Sequence, residues 1–177
     1  ARQYFDKQLN EMLSKLQIDD KSFIVNVQKK FLKGKPLSKT KYYELINEDR
    51  DKADSFLELW GEVNQNDEIT AFAGLSLTPA KHKFIVENIT LYTWCAVDAI
   101  LFTDWLRISS HVVSADPIDN TAIELEMEGD ILLWSSPYPI YISIVEDDID
   151  ICNIKSSFCN HVSFWAIETT AKKWFNN

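Results

Sequence analysis

Apolar residues recur at helical spacing through the N-terminal third of the chain. In Arg2–Leu16 they fall at Phe5, Leu9, Met12, Leu13 and Leu16 of a segment that is otherwise largely polar. The same period predicts a second helix over Ser22–Leu32, with Phe23, Val27 and Phe31 on one side and Gly34, Lys35 and Pro36 ending it. Ser38, in PLSKTKYYELI, is placed to cap a third helix, and Ala53, Phe56, Leu57 and Trp60 are in register for a fourth over Arg50–Val63. Two runs with β character follow, Ile69–Leu75 and Lys83–Val86. Helices followed by a hairpin make the outline of a winged helix.

The dense apolar stretch from Thr90 to about Arg107 keeps the helical period, with Asn88 or Thr90 as its cap. Beyond it the period shortens to two. Thr121–Met127 sets Ile123, Leu125 and Met127 on one face and Glu124 and Glu126 on the other. Ile131–Trp134 and Ile140–Val145 are further strands, separated by an SSPYP turn, and Glu146–Asp150 is an acidic surface loop. Phe158–Ile167, rich in aromatic and β-branched residues, is predicted as a central strand, and Thr169–Phe175 as a short closing helix. The expected fold class is α+β. A winged-helix-like helical part over residues 1–87 is followed by a mostly antiparallel sheet core flanked by helices over residues 88–177, in one compact unit.

Composition narrows the function. Hydrophobic residues make up 46% of the 177, enough for a core without staples. No apolar run reaches the ~18–20 residues that cross a bilayer. No basic-then-apolar leader opens the chain, though Ala1 stands where a methionine is expected. The net charge of −9 disfavours nucleic acid and anionic membranes as nonspecific partners. A basic cluster does exist, at Lys29, Lys30, Lys33, Lys35, Lys39 and Lys41. Yet the helix that would enter a DNA groove begins with Glu48, Asp49, Asp51 and Asp54, which phosphates repel, so DNA is not the expected partner. Three cysteines, an odd and sparse number, fit reduced thiols in a cytoplasm better than a disulfide framework.

Candidate chemistry gathers on two of those cysteines. In LYTWCAVDAILF, Cys95 and Asp98 are three apart and share a helix face, about 5–6 Å from each other at Cβ. A buried carboxylate needs a partner or a proton. Pairing with Arg107, or capping of a neighbouring loop, is the plain structural explanation. A helix-start position is expected to lower the thiol pKa. On a strand, Cys159, His161, Ser163 and Trp165 would line one face. If that face meets the Cys95 helix, three chemistries fit. A zinc site could use Cys95, Cys159, His161 and Asp98, but paired CxxC spacing is missing. A redox disulfide lacks CxxC too. A soft ion such as Hg(II) or Cu(I) needs only two thiolates. Cys152 reads as filler, His111 as a satisfied structural histidine and His82 as exposed.

At these residues the chain resembles the organomercurial (alkylmercury) lyase family. LYTWCAVD, RISSH and SFCNHVSFW carry the resemblance; KFLKGKPLSKT and GLSLTPAKHKFIV add weaker support, and it spans roughly Phe31–Trp174. It implies an enzyme for mercury resistance and detoxification that cleaves carbon–mercury bonds by protonolysis, giving a hydrocarbon and Hg(II). Its catalytic set of two cysteines and an aspartate falls on Cys95, Cys159 and Asp98, which would also hold the Hg(II) product. Trp94, Phe158, Phe164 and His111 are the candidate pocket. The resemblance implies no cofactor, a small organomercurial substrate, low-molecular-weight thiols that release Hg(II), and a mercuric reductase as a candidate downstream partner. Val112 and Asn160 stand where family members commonly carry further cysteines, and the chain ends sooner after Trp174 than is typical. The alternatives are a thiol-based soft-metal binder or sensor, which would have no use for Asp98, and a relative acting on another substrate.

Overall fold

The computed structural model describes residues 22–46, 49–144, 150–169 and 171. The predicted helix Arg2–Leu16 and most of the predicted Glu146–Asp150 loop and Thr169–Phe175 helix lie outside them. The elements run α1 (Ser22–Phe31), β1 (Leu37–Ser38), α2 (Lys39–Ile46), α3 (Arg50–Trp60), β2 (Gly61–Val63), β3 (Glu68–Phe72), β4 (Leu75–Ser76), β5 (His82–Val86) and β6 (Ile89–Thr93). There follow α4 (Ala96–Leu106), β7 (Ser109–Ala115), β8 (Ala122–Glu128), β9 (Ile131–Ser136), β10 (Tyr141–Ile142), α5 (Ile154–Ser157) and β11 (Phe164–Trp165). Among the described residues these strands form one nine-stranded sheet in the order β1-β3-β4-β6-β5-β7-β8-β9, with β2 paired to β3, and a separate β10–β11 pair. Every pairing is antiparallel.

The three leading helices pack through aromatic rings. Phe23 of α1 stacks on Phe56 of α3 at 5.2 Å, and Phe56 on Trp60 at 5.6 Å. Tyr42 of α2 meets Phe72 of β3 edge-on at 5.5 Å, and its hydroxyl donates to the Ala53 carbonyl at 2.8 Å. Such pairs add about 0.5–1.5 kcal/mol each beyond simple burial. Asp49 caps α3 by accepting from the Lys52 N–H at 3.0 Å. The hydrophobic core continues through β3, β5 and β6 to α4 and β8, on both sides of residue 87. On α4, Thr103 bonds Ser110 of β7 at 2.6 Å, so the second serine of RISSH fastens helix to sheet.

Four expectations need correction. The fourth predicted helix stops at Trp60; Gly61 donates to the Leu57 carbonyl and opens β2. The helix predicted from Thr90 begins only at Ala96, because Ile89–Thr93 pairs with β5 over five residues and alternates in burial. These five residues are β-branched or aromatic except Leu91, which favours the pleated surface. Asn88 and Thr90 therefore cap nothing, and Cys95 is the N-cap of α4. Phe158–Ile167 is not a central strand: Cys159–His161 is a turn of 3₁₀ helix, and Phe164 and Trp165 alone form a strand, paired with β10 outside the main sheet. Finally, His82 is buried, not exposed: its Nδ1 lies 2.7 Å from Ser114 Oγ and its ring meets Phe164 edge-on at 5.2 Å.

Candidate active site

Cys95 sits where β6 gives way to α4. Its backbone is extended (φ −141°, ψ 169°), and Thr93 Oγ1 donates to its carbonyl at 3.1 Å. The first N–H groups of a helix lack intrahelical partners. Here Asp98, in the first turn, accepts from the Cys95 N–H at 3.1 Å, so the spacing of three that suggested chemistry also caps the helix. The carboxyl lies against the β3–β4 turn. A Cβ built on Gly74 would come within 2.7 Å of Asp98 Cγ, and Gly74 has φ +95°, so the position requires glycine twice over. That turn is held from two sides. Gln28 of α1 donates to the Ala73 carbonyl at 3.1 Å, and the Trp94 N–H donates to the Gly74 carbonyl at 3.0 Å.

Cys159 arrives on the 3₁₀ turn, whose backbone is held by side chains more than by a ladder. Ser143, itself buried, donates to the His161 carbonyl at 2.8 Å and accepts from the Ser163 N–H at 2.9 Å. The Val162 carbonyl accepts from Ala96 at 3.4 Å, docking the turn on the start of α4. Lys81 donates to the Asn160 and Val162 carbonyls. Asp116, fully buried, accepts from the Ala166 N–H at 2.9 Å and anchors the far end. The result brings the two thiols and one Asp98 carboxylate oxygen within 4.8 Å of one another. Both cysteines are free and buried, at 0% and 4% exposure.

Burial governs the electrostatics. It raises the Asp98 pKa from 3.8 to about 7, against the opposing hydrogen bonds from Cys95. Burial also raises the Cys95 thiol well above its ordinary value, helped by its contact with Cys159 and by the Asp98 charge. The N–H of Asp98 pulls the other way and loses. The expectation of a thiol pKa lowered by the helix start is thus corrected: in this dry setting burial outweighs the helix start and pushes the Cys95 thiol up.

The remaining candidates divide. Trp94 is buried beside Cys95, with the Lys155 ammonium 4.7 Å from its ring centre. Phe158 is buried directly before Cys159, and Phe164 is fully buried against His82. A cleft of about 330 Å³ runs alongside, lined by Glu62, Trp94, Cys152, Lys155 and Asn160 among others, so it touches the sequence neighbour of each site cysteine. His111 is not brought to the cluster. It pairs with Ile85 on the face opposite Phe84 and Val112, and its Nε2 lies 3.2 Å from Glu124. His161 is exposed and outside the group of donor atoms, so the four-ligand zinc arrangement does not form. Cys152, read as core or loop filler, is exposed on the 3₁₀ turn Ile151–Asn153. Sequence reading missed Gly74, Ser143 and Asp116. The signal was thin: a lone glycine after alanine, and short polar residues in turns.

An α+β fold here encloses two thiols and a carboxyl, a donor set of the kind that suits a soft metal ion. The alkylmercury lyase (MerB) family model matches residues 75–177, more than half of the sequence, and the chain belongs to that family. The alkylmercury lyase of Staphylococcus epidermidis is 30% identical over 115 residues, 65% of this chain and 52% of that protein. That of Streptomyces lividans is 34% identical over 113 residues, 64% and 52% respectively. The chain thus spans about half the length of the curated relatives it matches. A crystal structure of the mercury-bound form of MerB2 shares the fold with a TM-score of 0.76, at 17% identity, over 94% of this chain and 83% of that one. Among the described residues, no helix is long and apolar enough to cross a membrane.

Proposed function

We propose that this protein is an organomercurial lyase, with Cys95, Asp98 and Cys159 as its catalytic residues. The observation that carries the reading is their convergence within 4.8 Å, in a place where both thiols are shielded from water. The names of the relatives point to the same substrate class. A carbon–mercury bond persists in water because carbon leaves only when protonated. Sulfur donation to mercury raises the electron density on that carbon, and a nearby acid can then deliver a proton.

The organomercurial arrives along the cleft as its complex with a low-molecular-weight thiol. Cys95 bonds to mercury, and its proton leaves with the displaced thiol. Cys159 bonds next, and its proton passes to the Asp98 carboxylate. Asp98 hands that proton to carbon; the carbon–mercury bond breaks and R–H departs. Hg(II) stays on Cys95 and Cys159, with Asp98 beside it, until external thiols exchange it away. Two thiol protons enter and two leave, one on R–H and one on the displaced thiol, so no oxidant or reductant is needed. A pKa of about 7 suits a group that must both take and give a proton near neutrality. Trp94, beside Cys95 and on the wall of the cleft, offers an apolar surface to the organic group.

Benzene release from phenylmercury in excess thiol tests the reading. Hydrocarbon formed in proportion to bound Hg(II) supports it. Stoichiometric Hg(II) capture from HgCl₂ with no hydrocarbon from phenylmercury would leave only a soft-metal binder.

A further inference from the structure

The sequence singled out AKHK only for its histidine, but the lysine before that histidine reaches the site. Lys81 Nζ donates to the Asn160 carbonyl at 3.2 Å and to the Val162 carbonyl at 3.3 Å. These two carbonyls flank His161, in the turn that presents Cys159. The Val162 carbonyl is also the one that accepts from Ala96, the residue after Cys95. One carbonyl is therefore shared between the clamp and the start of the Cys95 helix. Lys81 as a whole is an exposed residue, so its ammonium has water as an alternative partner and instead spans a loop nearly eighty positions away. Charge-assisted bonds of this kind are stronger than neutral ones.

We infer that Lys81 is a positioning residue for the second sulfur, its ammonium clamping the Cys159 turn onto the first turn of the Cys95 helix. The inference rests on the two-sulfur reading above and adds a residue to it. Among the described residues no strand pairs with Cys159–His161; the backbone joins its neighbour only from Ser163, whose carbonyl accepts from the Ser143 N–H at 3.1 Å, into the β10–β11 pair. Lys81 fixes the turn where Ser143 does not reach, at the Asn160 carbonyl. The cation also lies within electrostatic reach of both sulfurs: partial withdrawal from water lowers its pKa, and charge on Cys95 or Cys159 pulls it back up.

The test uses the full chain carrying Cys152→Ser, which leaves Cys95 and Cys159 as the only thiols. Phenylarsine oxide bridges two converging thiols, with arsenic taking both sulfurs and releasing one water, and so reports their alignment without any carbon–mercury chemistry. Relative to this parent, Lys81→Met slows bridging by about ten- to a hundred-fold. It lowers kcat for phenylmercury similarly and leaves KM near the parent value, because Cys95 still makes the first capture. Lys81→Arg restores most of both rates. Lys83→Met, which removes the same charge two residues on, changes neither. If Lys81→Met fails to fold, Lys81→Ala, a methyl on an exposed turn, carries the same readings. Bridging and kcat at the parent level in the Lys81 variants overturn the clamp, as does an equal loss in Lys83→Met. Normal bridging in Lys81→Met beside an active parent sinks the clamp and leaves the lyase reading. Slowed bridging beside a parent that releases no hydrocarbon keeps the clamp and sinks the lyase reading.

Discussion

The two sulfurs of the site are mounted in opposite ways. Cys95 stands between a strand paired over five residues and an eleven-residue helix, both packed into the core. Cys159 stands on a three-residue 3₁₀ turn after a four-residue helix, held by Ser143, Lys81 and the Val162 carbonyl. Regular secondary structure satisfies its own backbone groups; an irregular turn borrows side chains for the purpose. The first mount suits a sulfur that must meet the substrate in one fixed place. The second suits a sulfur that adds to mercury after the first has captured it. Under the proposed mechanism, Cys95 captures and Cys159 completes.

Substituting the cysteines breaks the comparison most sharply. Cys95→Ser and Cys159→Ser are each expected to abolish hydrocarbon release. In the Cys152→Ser background, only Cys159→Ser should retain a one-to-one phenylmercury adduct, visible by intact mass; an adduct on Cys95→Ser and none on Cys159→Ser would reverse the order of capture. Asp98→Asn comes next. It keeps an oxygen to accept from the Cys95 N–H but cannot carry the proton, so kcat should fall by about 10²–10⁴-fold while Hg(II) still binds.

The same residue gives a pH dependence of known sign. Its folded pKa lies above its unfolded value, so the native state holds the extra proton between pH 3.8 and about 7. The stability that this group contributes is therefore fully present below that interval and is lost as the pH rises through it, by at most about 4 kcal/mol. Chemical denaturation from pH 4 to 8 should show this slope, and Asp98→Asn should flatten it and be the more stable protein at pH 8.

Gly74→Ala is expected to act through Asp98. The positive φ costs about 1–3 kcal/mol, and the added methyl displaces the carboxyl. Thermal midpoint and kcat should fall together. Ser143→Ala, the mildest change, removes two hydrogen bonds from the Cys159 turn and should cost about 1–3 kcal/mol. It should slow the second sulfur and spare the Cys95 adduct, the same asymmetry in smaller form.

The helices over Ser22–Phe31 and Arg50–Trp60 were legible because helical period and burial agree there. Phe23, Val27 and Phe31 are all inside, as are Ala53, Phe56, Leu57 and Trp60. Thr121–Met127 was legible for the same reason at period two. Failures came where apolar density hid the period. ITLYTWCAVDAILF is nearly all apolar, so the change from strand to helix at Cys95 left no polar stripe to mark it. FCNHVSFWAI has high β propensity, yet β10 offers it only two pairing positions and the rest is turn. His82 looked like a turn residue because its partner, Ser114, lies across the sheet on β7.

The sequence by itself determined which side chains are available for chemistry, the three-residue spacing of Cys95 and Asp98, and membership in a family built on such residues. Those properties are local or compositional, and a linear reading reaches them. Tertiary structure alone decided that Cys159 meets the pair, that Gly74 makes room for the carboxyl and that His111 faces away. It also decided that burial pushes the Cys95 thiol up where the helix start alone would lower it. Distance, desolvation and free volume belong to the packed chain: they arise between segments 24 residues apart, as for Gly74 and Asp98, or 64 apart, as for Cys95 and Cys159, and have no signature in any one of them.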